Sequence, residues 1–195
     1  MVCRPYSRIN KDIRRILATA QLLALTSSAS PNTRLKLITF DGDVTLYPDG
    51  SILLPENPVI PYLLDLLSHG IHVGIVTAAG YADRSGREYI RRLTGLLDAV
   101  AKSSLTPQQK NNLAILGGEC NYLFKYNGTT NQLEWVEETI WILDEMESWQ
   151  PKDIETLLDI AQEALHDVAK SMRMKVQIIR KQKAVGNILT ISVPS

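Results

Sequence analysis

The pattern of apolar and polar positions divides the chain into short strands separated by amphipathic helices. Mostly apolar runs over residues 35–40 and 71–77 predict two buried strands. Between them, apolar side chains recur at helical spacing over 58–68, and Gly70 follows where a glycine commonly ends a helix. Further helices are predicted over 9–25, over 85–100 and from Thr106, which begins a Thr-Pro-Gln-Gln capping sequence. Strands that alternate with helices favour an α/β fold with a parallel sheet covered on both faces.

The sequence after Gly118 has a different pattern and predicts an α+β region. Alternating residues over 122–126 and 133–136 flank an Asn-Gly turn and predict a hairpin. A long amphipathic helix is predicted over 151–172, and strands are predicted over 175–180 and 186–193. We therefore expect three parts: an N-terminal helical segment over 1–33, a core over 34–118 and a cap region over 119–195.

Charge and composition exclude several classes of partner. The chain has 21 basic and 21 acidic residues, so its formal net charge is zero and no bulk binding to nucleic acid is expected. No apolar stretch is long enough to span a bilayer, and the first residues lack the apolar region of a secretory signal. The two cysteines form no disulfide framework. These features favour a cytoplasmic protein that does not bind a membrane.

Two carboxylates stand at the end of the first predicted strand. Asp41 and Asp43 lie directly after an apolar run, and Thr45 follows them. Ligands bind at the carboxyl ends of strands in open parallel sheets, so paired carboxylates there are candidates for phosphoryl and metal chemistry. An Asp-Gly-Asp segment is also common in ordinary turns, and this segment alone leaves both interpretations open.

The second predicted strand favours the chemical interpretation, because it ends in Thr77 followed by small residues. An apolar strand ending in Asp-x-Asp-x-Thr, followed by a strand ending in a hydroxyl residue, resembles the first two motifs of the haloacid dehalogenase (HAD) superfamily. This resemblance implies a HAD-like Rossmannoid parallel sheet, here incomplete. It implies that Asp41 is a nucleophile forming an aspartyl-phosphate, that Asp43 is the general acid and base, and that Thr77 binds the phosphoryl oxygens. It also implies Mg²⁺ held by Asp41, the backbone carbonyl of Asp43 and the phosphate.

The residues around these motifs are more specific than the superfamily requires. Residues 39–50 resemble the signature of the IMP-specific 5'-nucleotidases, and further similar segments occur at 57–63, 73–81, 95–99, 117–124 and 178–181. The resemblance covers roughly residues 8–186 and implies hydrolysis of inosine monophosphate (IMP) to inosine and phosphate. It further implies a homotetramer that is activated by ATP at a separate site. By the same resemblance, the substrate-binding residues are Asp41, Gly42, Asp43, Thr45, Asp49 and Thr77; a turn-forming role for Asp49 is equally open.

Two parts of the superfamily's site, a lysine and a later acidic Mg²⁺ ligand, are not identified in this sequence. Lys170, Lys175, Lys181 and Lys183 are each expected on a solvated face. We expect the resemblance to end near Gly186, the chain to be shortened at its C-terminal end, and the first strand to keep an open hydrogen-bonding edge. The alternatives are therefore a phosphatase of other small phosphomonoesters and a catalytically inactive fragment that associates with a full-length partner. A response-regulator receiver domain is disfavoured, because its acidic residues lie on different strands.

Overall fold

A computed structural model describes residues 11, 13–19, 35–81, 83–118, 120–181 and 183–189. The chain divides into two units, residues 1–38 and 39–195. In the first unit, residues 13–19 are helical, which agrees with part of the helix predicted over 9–25. The remainder of that predicted helix lies outside the described residues.

The second unit is organised by a five-stranded sheet with the order β1-β2-β3-β4-β5, and the first two residues of β1 precede the start of that unit. The strands are β1 (Leu37–Asp41), β2 (His72–Val76), β3 (Leu113–Gly117), β4 (Tyr122–Asn127) and β5 (Gln132–Val136). β2 and β3 are parallel, whereas β3 pairs with β4 and β4 with β5 in the antiparallel sense. The predicted α/β class is confirmed, but the sheet is mixed rather than parallel throughout.

The hairpin of β4 and β5 is the main departure from the predicted arrangement. We expected this hairpin in the cap region, yet it extends the core sheet on the far side of β3. The physical reason is burial: Phe124 on β4 is fully buried, and Tyr126 and Leu133 also belong to the hydrophobic core. The five-stranded sheet therefore extends beyond residue 118, through β5.

Four helices connect the strands of the core: α1 (Ile60–Ser68), α2 (Arg87–Arg92), α3 (Thr94–Lys102) and α4 (Pro107–Lys110). The single helix predicted over 85–100 is divided at Leu93, whose φ of -106° and ψ of 17° depart from helical values. The capping box at Thr106 and Gln109 is confirmed by reciprocal hydrogen bonds. Gly70 has a φ of +74°, as expected for the left-handed residue that ends α1.

Apolar packing in the second unit fixes the two strand ends that carry the candidate chemistry. Leu63 and Leu67 of α1 are buried, and α1 packs against β2, whose Val73 and Ile75 are fully buried. Gly74 faces Thr39 of β1 so closely that a Cβ atom there would lie 3.1 Å from the Thr39 Cγ2 atom. This close approach sets the spacing between β1 and β2.

The C-terminal part of the chain forms a small helix-and-hairpin layer. α5 (Pro151–Ser171) packs against an antiparallel hairpin of β6 (Val176–Arg180) and β7 (Val185–Leu189). Short 3₁₀ turns at Glu138–Ile140 and Asp144–Met146 lie between β5 and α5. The structure confirms the predicted helix and both predicted strands. β7 continues through Leu189, three residues past Gly186, the position near which we expected the family resemblance to end. The predicted strand residues 190–193 lie outside the described residues.

The end of the sheet bears out one expectation about the first strand. β1 is the terminal strand of the sheet in the described part of the chain, and Leu37 remains 55% exposed. An apolar edge strand with free backbone groups is a template for pairing with another strand. Among the described helices, none combines the length and the apolar character needed to cross a membrane.

Candidate active site at the ends of β1 and β2

The ends of β1 and β2 bring together residues that are far apart in sequence. The backbone N–H of Gly42 donates to the carbonyl of Val76 across a distance of 2.8 Å, which joins the two strand ends. The hydroxyl of Thr77, which is 2% exposed, donates to Oδ2 of Asp43 at 2.8 Å. The same Thr77 oxygen accepts a hydrogen bond from the N–H of Ala79 at 3.1 Å. Asp43 and Thr77 thus form one polar cluster at the carboxyl edge of the sheet.

Asp41 lies beside this cluster with an exposed side chain. Its Oδ2 atom accepts a hydrogen bond of 2.9 Å from the hydroxyl of Thr45, one turn further along the loop. An exposed carboxylate that is held by one donor keeps its other oxygen available to an incoming group. Asp41 is therefore accessible in the way that a nucleophile requires, whereas Asp43 is more enclosed.

Gly42 is required by the close packing of the loop. A Cβ atom at this position would lie 2.6 Å from the Tyr47 hydroxyl oxygen, inside any normal contact distance. The carbonyl of Gly42 also accepts backbone hydrogen bonds from Leu46 and Tyr47 at 2.9 and 3.3 Å. The absent side chain lets the loop fold back on itself against Tyr47.

Val44, which lies between Asp43 and Thr45, has an unusual backbone conformation. Its φ is +65°, in the left-handed region, and its side chain is 78% exposed. This region is unfavourable for β-branched residues and costs on the order of 1–2 kcal/mol. Such strain commonly occurs where a loop must hold functional groups in a fixed arrangement.

Asp49 lies on the rim of the cluster. It belongs to a turn in which the N–H of Ser51 donates to the carbonyl of Pro48 at 3.0 Å, which confirms the predicted turn. The next residue, Gly50, donates its N–H to Oδ1 of Asp43 at 3.2 Å. The turn is therefore attached to the cluster, and the Asp49 side chain is exposed. Contact of Asp49 with a substrate stays a prediction.

Arg92 is a site residue that sequence reasoning missed. This last residue of α2 places its Nη1 atom 2.8 Å from Oδ1 of Asp43, and its side chain is only 13% exposed. The signal was present in the sequence, because Arg92 lies three residues after Tyr89 in the predicted helix and so shares the face of that apolar residue, which is buried. An arginine within an apolar stripe requires a partner, and here the partner is Asp43.

Aromatic side chains surround the ion pair. The guanidinium of Arg92 lies 5.8 Å from the ring centroid of Tyr81. Burial disfavours the charged form of Arg92, but its contacts with Tyr81 and Asp43 outweigh burial and raise the pKa of the guanidinium. Burial also raises the pKa of Tyr47, and the negative charge of Asp43 adds to this effect. Tyr47 is therefore neutral and Arg92 is charged at physiological pH.

The lysines expected on solvated faces include two that contact the rest of the second unit. Lys181 is exposed, yet its Nζ donates to the carbonyl of Ala78 at 3.3 Å, next to Thr77. Lys183 is half-buried, pairs with Glu138, and lies 5.8 Å from the ring centroid of Tyr122. The expectation of a fully solvated side chain is wrong for Lys183. Burial lowers the pKa of its ammonium group.

The chemistry of Asp41 and Asp43 fits a hard divalent cation. Within the described residues, no group of three or more His, Cys, Asp and Glu side chains is arranged to hold a metal ion. Mg²⁺ is, however, commonly bound by one or two carboxylates together with water and substrate phosphate. The exposed carboxylate of Asp41 and the main-chain oxygen of Asp43 are donors of that type. The residues present are therefore compatible with Mg²⁺ as an incomplete ligand set.

Comparison with known proteins gives a consistent result across nearly the whole chain. A family model described as IMP-specific 5'-nucleotidase matches residues 5–193. IMP-specific 5'-nucleotidase 1 of Aspergillus fumigatus is 50% identical over 177 residues, which is 90% of this chain and 38% of that protein. The Yarrowia lipolytica protein of the same name is 46% identical over 176 residues, or 90% of this chain and 41% of that protein. The chain spans about two fifths of the length of these relatives.

Solved structures agree with the sequence comparison. An IMP-bound, N-terminally truncated IMP-nucleotidase of Plasmodium falciparum superposes with a TM-score of 0.75 at 32% identity, covering 92% of this chain and 45% of that one. The ATP-bound enzyme of the same organism gives a TM-score of 0.67 at 33% identity, covering 89% of this chain and 38% of that one. The match to residue 193 extends beyond the point where we expected resemblance to end. The chain belongs to the IMP-specific 5'-nucleotidase family, and its α/β fold is of the HAD-like type.

Proposed function

We propose that this chain supplies the nucleophile, the acid–base carboxylate and the phosphoryl-binding hydroxyl for hydrolysis of IMP to inosine and phosphate. The observation that carries the proposal is the cluster in which the Thr77 hydroxyl donates to Asp43, beside the exposed Asp41, in a chain of this family. The cluster lies at the carboxyl edge of the sheet, where α/β proteins bind ligands.

The proposed reaction begins when a carboxylate oxygen of Asp41 attacks the phosphorus of IMP. The bond between phosphorus and the ribose O5' atom breaks as Asp43 gives a proton to that oxygen, which releases inosine. Asp43 then accepts a proton from water, and the resulting hydroxide attacks the aspartyl-phosphate to release phosphate and restore Asp41. In both steps the Thr77 hydroxyl turns from Asp43 Oδ2, to which it donates in this structure, and donates to the phosphoryl oxygens.

A bound Mg²⁺ would be held by the Asp41 carboxylate and the backbone carbonyl of Asp43, and would offset the charge of the phosphate as Asp41 approaches. Two observations of the chain support this assignment: the Asp41 side chain is exposed, and the donor that it contacts among the described residues is the neutral hydroxyl of Thr45. A neutral donor leaves the carboxylate its full negative charge, which hard cations prefer. Binding of Mg²⁺ or Mn²⁺ to this chain, followed by calorimetry with Asp41→Asn as the comparison, tests the ligand set without reference to activity.

The experiment that tests the function is release of inosine and phosphate from IMP in the presence of Mg²⁺. We expect Asp41→Asn to lower kcat by about 10³-fold or more, because it removes the nucleophile. Asp43→Asn is expected to lower kcat by about 10²–10⁴-fold through loss of proton transfer. Asp98→Asn, which changes an exposed carboxylate on α3 outside the cluster, is the matched control and should leave kcat unchanged.

The substrate class is tested by comparing IMP with AMP, GMP and an aryl phosphate. A clear preference for IMP supports the proposal, whereas equal turnover of all four compounds favours a phosphatase of general small phosphomonoesters. Folded protein that releases no phosphate from any of them would contradict the proposed activity. In that case the remaining candidate is an inactive fragment that acts through a longer partner, which co-elution with a full-length family member would support.

We also infer the regulation and assembly that the family resemblance implies. The proposal is that ATP binds as an activator at a site separate from Asp41 and Asp43, and that the protein forms a homotetramer in the cytoplasm. Its support is the similarity to an ATP-bound IMP-nucleotidase. A rate of IMP hydrolysis that does not change with ATP, or a monomer by analytical ultracentrifugation, would contradict the corresponding part.

A further inference from the structure

Arg92 differs from the other ion-paired arginines of the described residues in its surroundings. Arg84, Arg91 and Arg180 pair with Glu137, Glu88 and Asp159, and the three arginine side chains are 70%, 56% and 31% exposed. The side chain of Arg92 is 13% exposed, its partner Asp43 is 22% exposed, and the Nε atom is buried without a hydrogen-bond partner. Burying a guanidinium and leaving one of its donors unused both cost free energy. The molecule retains this arrangement at the carboxylate that performs proton transfer in the proposed reaction.

The attachment of α2 to its neighbours does not depend on the Arg92 side chain. The backbone carbonyl of Arg92 accepts a hydrogen bond from the N–H of Leu53 at 2.7 Å. Tyr89 and Leu93, on either side along the helix face, are each 1% exposed and belong to the core. These backbone and apolar contacts hold the end of α2 in place, so the guanidinium is not needed to dock the helix.

What the guanidinium does determine is the orientation of Asp43. The Oδ2 atom of Asp43 accepts from Thr77 at 2.8 Å, whereas Oδ1 accepts from Arg92 Nη1 at 2.8 Å and from the N–H of Gly50 at 3.2 Å. The terminal torsion of an aspartate is broad, so a single donor does not define it. Short contacts on both oxygens do define it. Arg92 supplies the short, charge-assisted contact to Oδ1, and its loss would leave Oδ1 with the longer contact from Gly50 at 3.2 Å.

We propose that Arg92 is a positioning residue, whose guanidinium fixes the carboxylate of Asp43 in the orientation for proton transfer to and from the reacting oxygens. This inference rests on the proposed function, because it assumes that Asp43 is the acid–base group. Arg92 contacts Asp43 rather than the substrate, so it acts on the rate of the chemical step and not on substrate affinity.

The test compares Arg92→Met, Arg92→Lys and Arg91→Met in IMP hydrolysis with Mg²⁺. Misplacement of a reacting group by about 1 Å costs up to about 10²-fold in rate, so we expect Arg92→Met to lower kcat by about 10- to 100-fold with little change in KM. Arg92→Lys keeps the charge and one donor but loses the planar fork, and should recover part of that loss. Arg91→Met removes the neighbouring, exposed ion pair and serves as the matched control, with kcat expected to stay at the wild-type value.

The separation of kcat from KM distinguishes positioning from the competing roles. An increase in KM with unchanged kcat would mean that Arg92 binds the substrate, and would overturn the proposal. An Arg92→Met variant with wild-type kcat would also overturn it. Equal loss in Arg92→Lys and Arg92→Met, accompanied by a lowered melting temperature in both, would show a purely structural role and overturn it as well.

If the wild-type chain releases no phosphate, that outcome contradicts the proposed function and leaves the role of Arg92 to be tested in another way. A second measurement then tests the role of Arg92 without reference to activity. Crystal structures of the wild-type chain and of Arg92→Met report the Asp43 side chain directly. We expect the carboxylate to turn in Arg92→Met, with loss of the 2.8 Å contact between Thr77 Oγ1 and Asp43 Oδ2. An Asp43 side chain that keeps its orientation and this contact in Arg92→Met overturns the positioning role whatever the activity.

Discussion

Replacement of Tyr89 by phenylalanine tests how the buried core supports the loop that follows Thr77. The Tyr89 ring is 1% exposed, and its hydroxyl contacts two backbone groups of that loop. The hydroxyl donates to the carbonyl of Ala79 at 2.9 Å and accepts from the N–H of Tyr81 at 3.1 Å. Tyr89→Phe removes one oxygen atom and leaves both backbone groups without this partner.

The expected destabilisation follows from the polar groups alone, because the ring keeps its apolar contacts. In the wild-type chain the ring packs 5.1 Å from that of Phe124, measured between centroids, and phenylalanine preserves this contact. A buried polar group left without its hydrogen bond costs about 1–3 kcal/mol, and Tyr89→Phe affects two partly buried groups. The space left by one oxygen atom is too small to admit a water molecule in its place. We therefore expect a loss of about 2–3 kcal/mol, a large share of a typical stability of about 5–15 kcal/mol.

Urea denaturation followed by tryptophan fluorescence measures this loss. Tyr89→Phe should lower the midpoint concentration at an unchanged m-value, because the native core is otherwise retained. Tyr62→Phe is the matched control, since Tyr62 is 71% exposed. A Tyr89→Phe variant within about 0.5 kcal/mol of wild type, or a Tyr62→Phe variant that loses as much as Tyr89→Phe, would refute the reasoning.

Three further predictions concern packing, backbone strain and pH. Gly95→Ala should lower the free energy of unfolding by about 1–3 kcal/mol despite better helix propensity, because the new Cβ would lie 2.5 Å from the carbonyl oxygen of Leu53. Ala101→Gly in the same helix is the comparison. A Gly95→Ala variant that is more stable than the wild type would contradict the packing. Val44→Gly should raise the urea midpoint by an amount equivalent to about 1 kcal/mol, whereas Val44→Ala should not, because only glycine relieves the φ of +65°. Stability should be fully retained below about pH 10 and should fall as pH rises above it. The reason is that burial raises the pKa of several tyrosines, so the folded state holds their protons more tightly than the unfolded state. Urea midpoints that stay constant from about pH 9 to pH 11 would contradict this prediction. These tyrosines are Tyr47, Tyr89, Tyr122 and Tyr126.

Much of the local structure was predictable because it depends on neighbours along the chain. The capping sequence at Thr106, the left-handed Gly70 and the Asn-Gly turn between β4 and β5 are all short-range features, and the structure confirms each. The strand β3 was missed, although residues 113–117 alternate in burial, because a five-residue apolar run after a capped helix does not distinguish a strand from a continued helix.

The assignment of β4 and β5 shows a limit of a different kind. Sequence pattern predicted this hairpin correctly as a pair of strands but placed it in the cap region. Which sheet a hairpin joins depends on apolar contacts with residues distant in sequence, here Phe124 with the ring of Tyr89 on α2. No periodicity within residues 122–136 contains that information.

The candidate site likewise combines features that depend on the local sequence with features that depend on tertiary packing. The sequence by itself determined that Asp41, Asp43 and Thr77 stand at the ends of two strands, because the strand pattern and the polar residues that end it are local. It did not show that β1 would be a partly exposed edge strand. Only the tertiary structure decided that Thr77 donates to Asp43 and that Arg92 pairs with the same carboxylate, 49 residues away in sequence. The physical reason is that a buried charge must find its partner in space: helical phase turned Arg92 inward, and packing of α2 against the core set which carboxylate it meets.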